Sequence, residues 1–211
     1  MTEVIEQGSA EWFAARAGKV TASRMADVMA RTKSGYGAAR GNYMAELICE
    51  RLTGTKTEGY TNAAMQWGTD TEPQARAAYE FMTDTAVAET GFHLHPAIGD
   101  MGASPDGLVG HDGLIEIKCP NTATHLDTLL AEAVPQEYLL QMQTQMACTG
   151  RAWCDFVSFD PRLPVELQIW IKRIVRDDAV ISEIESEARK FLGELSEKLD
   201  ALRSRYMQEA A

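Results

Sequence analysis

Residues 113–118 read Gly-Leu-Ile-Glu-Ile-Lys, and this run constrains the fold more than any other segment. Isoleucines on alternate positions, bounded by the turn signal His111-Asp112-Gly113, make it a strand. Side chains on a strand alternate faces with a period of two. Leu114, Glu116 and Lys118 therefore share one face, and Ile115 and Ile117 point the other way, into a core. By itself Glu-x-Lys is a solvated ion pair worth under about 1 kcal/mol. The upstream Pro105-Asp106-Gly107 changes that reading. Asp106 lies at a tight Asp-Gly turn, and a hairpin-like return brings it beside Glu116. Two carboxylates and one ammonium then converge at the end of a sheet.

Neighbouring carboxylates repel, and burying them costs free energy unless a cation neutralises them. A divalent ion does so, and Mg²⁺ prefers hard oxygen ligands while keeping several waters. The Ile117 carbonyl on the same strand offers a third oxygen. Protonated Lys118 is no ligand, but it can hold a water bound to the ion and steady negative charge on a phosphate. The chemistry this points to is metal-assisted phosphodiester hydrolysis.

The remaining pattern is α+β: a central mixed β-sheet flanked by helices. Helices are expected over 9–17, with Ser9 as N-cap, from Thr21 to Met29, from Asn42 to Leu52, over 60–82 and over 135–149. Pro73 suits a first turn, so a break in the fourth of these near residue 72 is expected. Strands are expected at 91–98, 101–104, 113–118, 152–159 and 165–175. A long amphipathic helix closes the chain at about 178–207, with Ile181, Ile184, Ala188, Phe191, Leu195, Leu199 and Leu202 as a stripe that packs on the sheet. With no repeat or linker-like tract, 1–211 reads as one domain.

Composition excludes some classes. A net charge of −11 argues against a generic nucleic-acid coat protein, because phosphate contacts need Lys and Arg. It permits a DNA enzyme that concentrates positive charge along one groove. The four cysteines, Cys49, Cys119, Cys148 and Cys154, form no CxxC pair and read as reduced thiols. His93 and His95 share a strand face without a third ligand, and read as ordinary strand residues. No apolar run approaches the roughly 20 residues of a membrane helix. The start, MTEVIEQGSAEW, has neither the basic nor the apolar region of a secretory signal, so a cytoplasmic protein is expected. Residues 31–41, with Arg31, Lys33 and Arg40 among three glycines, read as a mobile basic loop able to touch a DNA backbone.

Pro105-Asp106 followed by Glu116-Ile117-Lys118 fits the PD-(D/E)XK nuclease pattern. The wider set resembles the lambda exonuclease family, the alkaline exonucleases of phage recombination. It comprises Trp12-x-x-x-Arg16-x-Gly18-x-x-Thr21-Ala22-Ser23, Trp67-Gly68-x-x-x-Glu72, Ser104-Pro105-Asp106-Gly107-Leu108, Glu116-Ile117-Lys118-Cys119-Pro120, Tyr138-x-x-Gln141-x-Gln143 and Phe159-Asp160-Pro161-Arg162. The resemblance runs from about residue 6 to 175.

It implies a processive 5′-to-3′ exonuclease on linear double-stranded DNA. The products would be 5′-mononucleotides and a 3′ single-stranded tail. It also implies a homotrimeric ring, a single-strand annealing partner, and a phage or prophage origin in a bacterial host. Asp106, Glu116 and the Ile117 carbonyl would bind one Mg²⁺, and Glu72 with Asp106 a second, Mn²⁺ being able to substitute. Lys118 would orient the water, with Gln141 bonding the water or a phosphate oxygen. Arg16, Ser23 and Ser104 would grip the 5′-phosphate. Met65 matches an apolar wedge that parts the strands. The family's arginine after Lys-Cys-Pro is absent from Asn121-Thr122-Ala123-Thr124-His125, which leaves His125 or a residue elsewhere to replace it. Two alternatives stand: a restriction-type or structure-specific endonuclease with the same metal site, and a non-enzymatic DNA-binding module with a nuclease-like fold.

Overall fold

The computed structural model describes residues 5–55 and 63–207. The chain opens with α1 (Ala10–Arg16), whose N-cap Ser9 accepts a hydrogen bond from the Trp12 amide. The segment expected as a helix from Thr21 instead begins as β1 (Val20–Thr21), runs through a 3-10 turn at Ala22–Arg24 and holds one helical turn, α2 (Met25–Val28). The reason is a neighbour: β1 pairs in parallel with β6 (Ile98–Ala103), Val20 opposite Met101.

The expected mobile loop is a hairpin of β2 (Arg31–Thr32) and β3 (Gly35–Tyr36), followed at once by α3 (Ala38–Thr53). α4 (Ala63–Thr83) is continuous through Pro73, so no break occurs near residue 72. Pro73 and Thr69, whose carbonyl loses its partner there, are both exposed, and water can satisfy the freed group. The residues 60–62 of that expected helix lie outside the described residues.

β4 (Val87–Ala88), β5 (His93–His95), β7 (Gly107–Val109) and β8 (Gly113–Lys118) follow, with β6 between β5 and β7. A helix absent from the sequence reading, α5 (Thr122–Ala131), starts at Asn121, which accepts from the Thr124 amide at 3.0 Å. Then come α6 (Gln136–Thr149), β9 (Trp153–Phe159), a 3-10 turn at Val165–Leu167 where strand was expected, β10 (Ile169–Val175) and α7 (Asp178–Tyr206).

The main sheet has the order β10-β9-β8-β7-β4, with β8 and β9 parallel and the other pairs antiparallel. A second sheet has the order β1-β6-β5. β8 is buried on both faces. Ile115 and Ile117 pack with Ala75 and Tyr79 of α4 and Val157 of β9. Leu114 packs with Met142 and Met146 of α6. The α7 stripe Ile181, Ile184, Ala188, Phe191, Leu195 and Leu199 is buried, chiefly against α2, α3, α6 and β6 rather than the main sheet, and Leu202 is exposed. Among the described residues no helix is long and apolar enough to cross a membrane, and all four cysteines are free.

Candidate active site

β8 delivers Glu116 to the interior, where the residue is 0% exposed. A buried carboxylate requires donors. Lys118 Nζ donates to its Oε1, Gln141 Nε2 donates to the same oxygen at 2.6 Å, and Gln145 Nε2 donates to Oε2 at 2.5 Å. Gln141 and Gln145 lie one turn apart on α6, so one helix face supplies both amides.

Asp106 sits where β6 turns into β7, and its Oδ2 accepts from the Ile117 amide at 2.6 Å. That bond ties the turn to β8 one residue beyond Glu116. Glu72 reaches in from α4, and its Oε1 accepts from Arg76 Nη2 at 2.7 Å. Glu72, Asp106, Ile117, Lys118, Tyr138 and Met65 line one cleft of about 500 Å³.

The electrostatics report mutual repulsion. Desolvation, then the Glu116 and Glu72 charges, push the Asp106 carboxyl well above the ordinary carboxylate range, against Lys118 and the Ile117 amide. Desolvation also raises Glu72, with Glu116 adding to it and Arg76 and Lys118 opposing. Burial works against the charge on Lys118, but Glu116 and Asp106 outweigh it and hold the ammonium well above its usual range. Lys118 therefore stays protonated at neutral pH and acts as a donor.

Among the described residues no three His, Cys, Asp or Glu side chains are gathered into a ready metal cage. Lys118 and Arg76 hold the Glu116 and Glu72 carboxylates instead. The donor set nonetheless fits a hard divalent ion. It is all oxygen, and the three carboxylates Glu72, Asp106 and Glu116 outnumber the two cations, Arg76 and Lys118, that face them.

A second group adjoins this cleft. Ser104 lies two residues before Asp106, and its Oγ receives Arg16 Nη1 at 3.1 Å and Trp12 Nε1 at 2.9 Å. The Arg16 guanidinium stacks over Trp12, 4.0 Å from the ring centroid. Desolvation lowers its pKa, and its buried Nε has no hydrogen-bond partner among the described residues. Ser23 is exposed in the 3-10 turn that follows β1, with its hydroxyl 3.4 Å from that of Thr21.

Two expectations need correction. Arg40 is 2% exposed, donates to the Val28 carbonyl and pairs with Glu194, so it does not face a DNA backbone. Arg31 pairs with Glu187 while its side chain stays 57% exposed, and Lys33 stands exposed at the hairpin tip without an ion pair among the described residues. His125 is 0% exposed between Ser158 and the Leu167 carbonyl, and cannot replace a phosphate-binding arginine. Gln143, part of the quoted motif, points away and bonds the Val175 carbonyl and the Asp177 amide. Gln145 and Arg76 escaped the sequence reading. Their only signal was spacing, four residues from Gln141 and Glu72.

Residues 11–152 match the YqaJ-like viral recombinase domain. The alkaline exonuclease LHK-Exo from Laribacter hongkongensis is 59% identical, with a TM-score of 0.88 over 93% of this chain and 97% of that one, and the same enzyme has been solved with dAMP. A phage-related exonuclease from Haemophilus somnus 129PT shares the fold at 20% identity, with a TM-score of 0.68 over 86% of this chain and 96% of that one. No curated protein matches. The chain belongs to the YqaJ-like viral recombinase family, and its likeness to the alkaline exonuclease LHK-Exo is consistent with the lambda exonuclease family.

Proposed function

We propose that the protein is a Mg²⁺-dependent, processive exonuclease that degrades the 5′ strand of linear double-stranded DNA. It releases 5′-mononucleotides and leaves a 3′ single-stranded tail. The observation that carries this reading is the junction at residues 104–106. Ser104, bonded to Arg16, and Asp106, beside Glu116 and Lys118, lie two residues apart. A terminal phosphate and a scissile linkage of one strand can then be held together.

Asp106, Glu116 and the Ile117 carbonyl would hold one ion, and Glu72 with Asp106 a second. When bound, Mg²⁺ supplies Lewis-acid charge for the phosphate and an acidified water. The chain's own groups do the rest. Lys118 and Gln141, both on Glu116 Oε1, are near enough to orient a water or a phosphate oxygen. Arg16 offers a planar fork to a phosphate, with Ser104 and Ser23 adding hydroxyls. Met65, 56% exposed and lining the cleft, would part the strands. The dAMP bound to LHK-Exo is the kind of mononucleotide proposed as product.

A homotrimeric ring on the DNA, an annealing protein that takes up the 3′ tail, and a phage-derived role in a bacterial cytoplasm complete the proposal. The test is digestion of linear duplex in Mg²⁺ with the two strands labelled separately, beside a covalently closed circle. The 5′ label should leave first as a mononucleotide, with the complementary strand and the circle intact. Cutting of the circle would establish an endonuclease, and no hydrolysis in either Mg²⁺ or Mn²⁺ would remove the enzyme reading.

A further inference from the structure

Arg76 stands behind the cleft and touches three elements at once. Its Nη2 donates to Glu72 Oε1 at 2.7 Å and to the Asp106 carbonyl at 3.2 Å. Its Nη1 pairs with Glu89, just beyond β4. The side chain is 18% exposed, whereas Glu89 is 77% exposed. Two of these contacts are partly buried, and the third is a surface pair.

The sharing of one nitrogen between Glu72 and Asp106 matters most. Glu72 is on a helix and Asp106 on a turn, and no covalent path shorter than 34 residues connects them. A glutamate on an exposed helix face samples several rotamers. The bond to Nη2 selects one, with Oε1 turned to Arg76 and Oε2 left as the oxygen to meet an ion. The same nitrogen holds the backbone of the residue whose carboxylate would share that ion. Lysine could supply the charge but not the fork that spans Glu72, Asp106 and Glu89.

We infer that Arg76 is a positioning residue that presets Glu72 against the Asp106 turn and so determines affinity for the second divalent ion. This role rests on the two-ion reading above. Groups that orient ligands in this way typically change metal affinity by about 10- to 100-fold when removed.

The experiment is a Mn²⁺ titration of the DNA-free protein, followed by electron paramagnetic resonance, for the wild type, R76M and E89Q. Wild type should take two ions. R76M should keep the tighter one unchanged and bind the second about 10- to 100-fold more weakly. E89Q, which removes only the surface pair, should match the wild type. If R76M does not fold, R76K carries the same measurement and should show the same loss at one site. Equal affinities in wild type and variant, equal weakening of both sites, or a loss reproduced by E89Q would each overturn the role. A wild-type protein that takes fewer than two ions overturns the two-ion reading itself, and the role of Arg76 with it.

Discussion

Gln145 donates to Glu116 Oε2 at 2.5 Å, on the side of the carboxylate away from Lys118. Both residues are 0% exposed, so no water can take the place of this amide. Q145L should lower stability in EDTA by about 1.5–3 kcal/mol, the range for a hydrogen bond to a buried charge. Urea denaturation measures that loss. With Glu116 free to turn, kcat should also fall by about 10- to 100-fold. A variant of normal stability and turnover would mean that Glu116 is held by Gln141 and Lys118 alone.

Lys118 is the cation nearest the proposed reacting atoms, and Glu116 and Asp106 keep it charged. Its Nζ also lies 5.2 Å from the Tyr138 ring centroid, which narrows its path into the cleft. K118A should reduce cleavage by at least about 100-fold, the scale for losing one preorganised donor. Duplex affinity, measured in Ca²⁺ by fluorescence anisotropy, should change little. Turnover near the wild-type rate would end the assignment.

Asp106 should make the ion-free protein less stable as pH rises. Its carboxyl is raised in the folded state by desolvation and by Glu116 and Glu72, whereas the unfolded chain titrates near 3.9. Below about pH 4 both states are protonated and nothing is lost. Between the unfolded and folded values the native state binds more protons, so stability falls as pH rises. Each tenfold of extra proton affinity costs the ionised protein about 1.4 kcal/mol. D106N should therefore melt higher than wild type in EDTA at pH 7–8, and the gain should vanish near pH 4. Saturating Mn²⁺ should reverse the order, because only the wild type keeps a complete site. A D106N protein less stable than wild type at pH 8 in EDTA would contradict the repulsion.

The sequence was most legible where the signal is local. Alternation across 114–118 gave β8 its faces, and Glu116, Asp106 and Lys118 converge as that alternation requires. β4 and β7, of two and three residues, are too short to carry a period and exist through pairing, β7 on β8 and β4 on β7. α5 is weakly signalled although Asn121 is a good N-cap, because Thr122, Thr124 and Thr128 are poor helix formers. Gln145 shares a face of α6 with Gln141, but a four-residue spacing occurs throughout any helix and singles out no residue until the fold brings Glu116 against it. Pro73 misled because a helix interrupted on its wet side need not end there.

Arg40 supplies the sharpest contrast between sequence and fold, and the last prediction. In the chain it is one of several basic residues near glycines, like Lys33. In the fold it clamps α3 to α7. Nη1 bonds the Val28 carbonyl at 2.9 Å, Nη2 bonds Glu194 at 2.9 Å, and the guanidinium stacks 3.9 Å from the Tyr36 centroid. R40M strands a carbonyl and one acid, but Glu194 is 36% exposed on its side chain and can rehydrate. A loss of about 2 kcal/mol is expected, below the 3–5 for a fully buried pair. The dependence of DNA binding on salt should not change, because no phosphate contact has gone. K33A should do the reverse, with stability within about 0.5 kcal/mol of wild type. If the hairpin tip meets the DNA backbone, the slope of log K against log salt should fall by about 1. Paired salt titrations and denaturation curves of the two variants separate a cation that builds the fold from one that faces the nucleic acid.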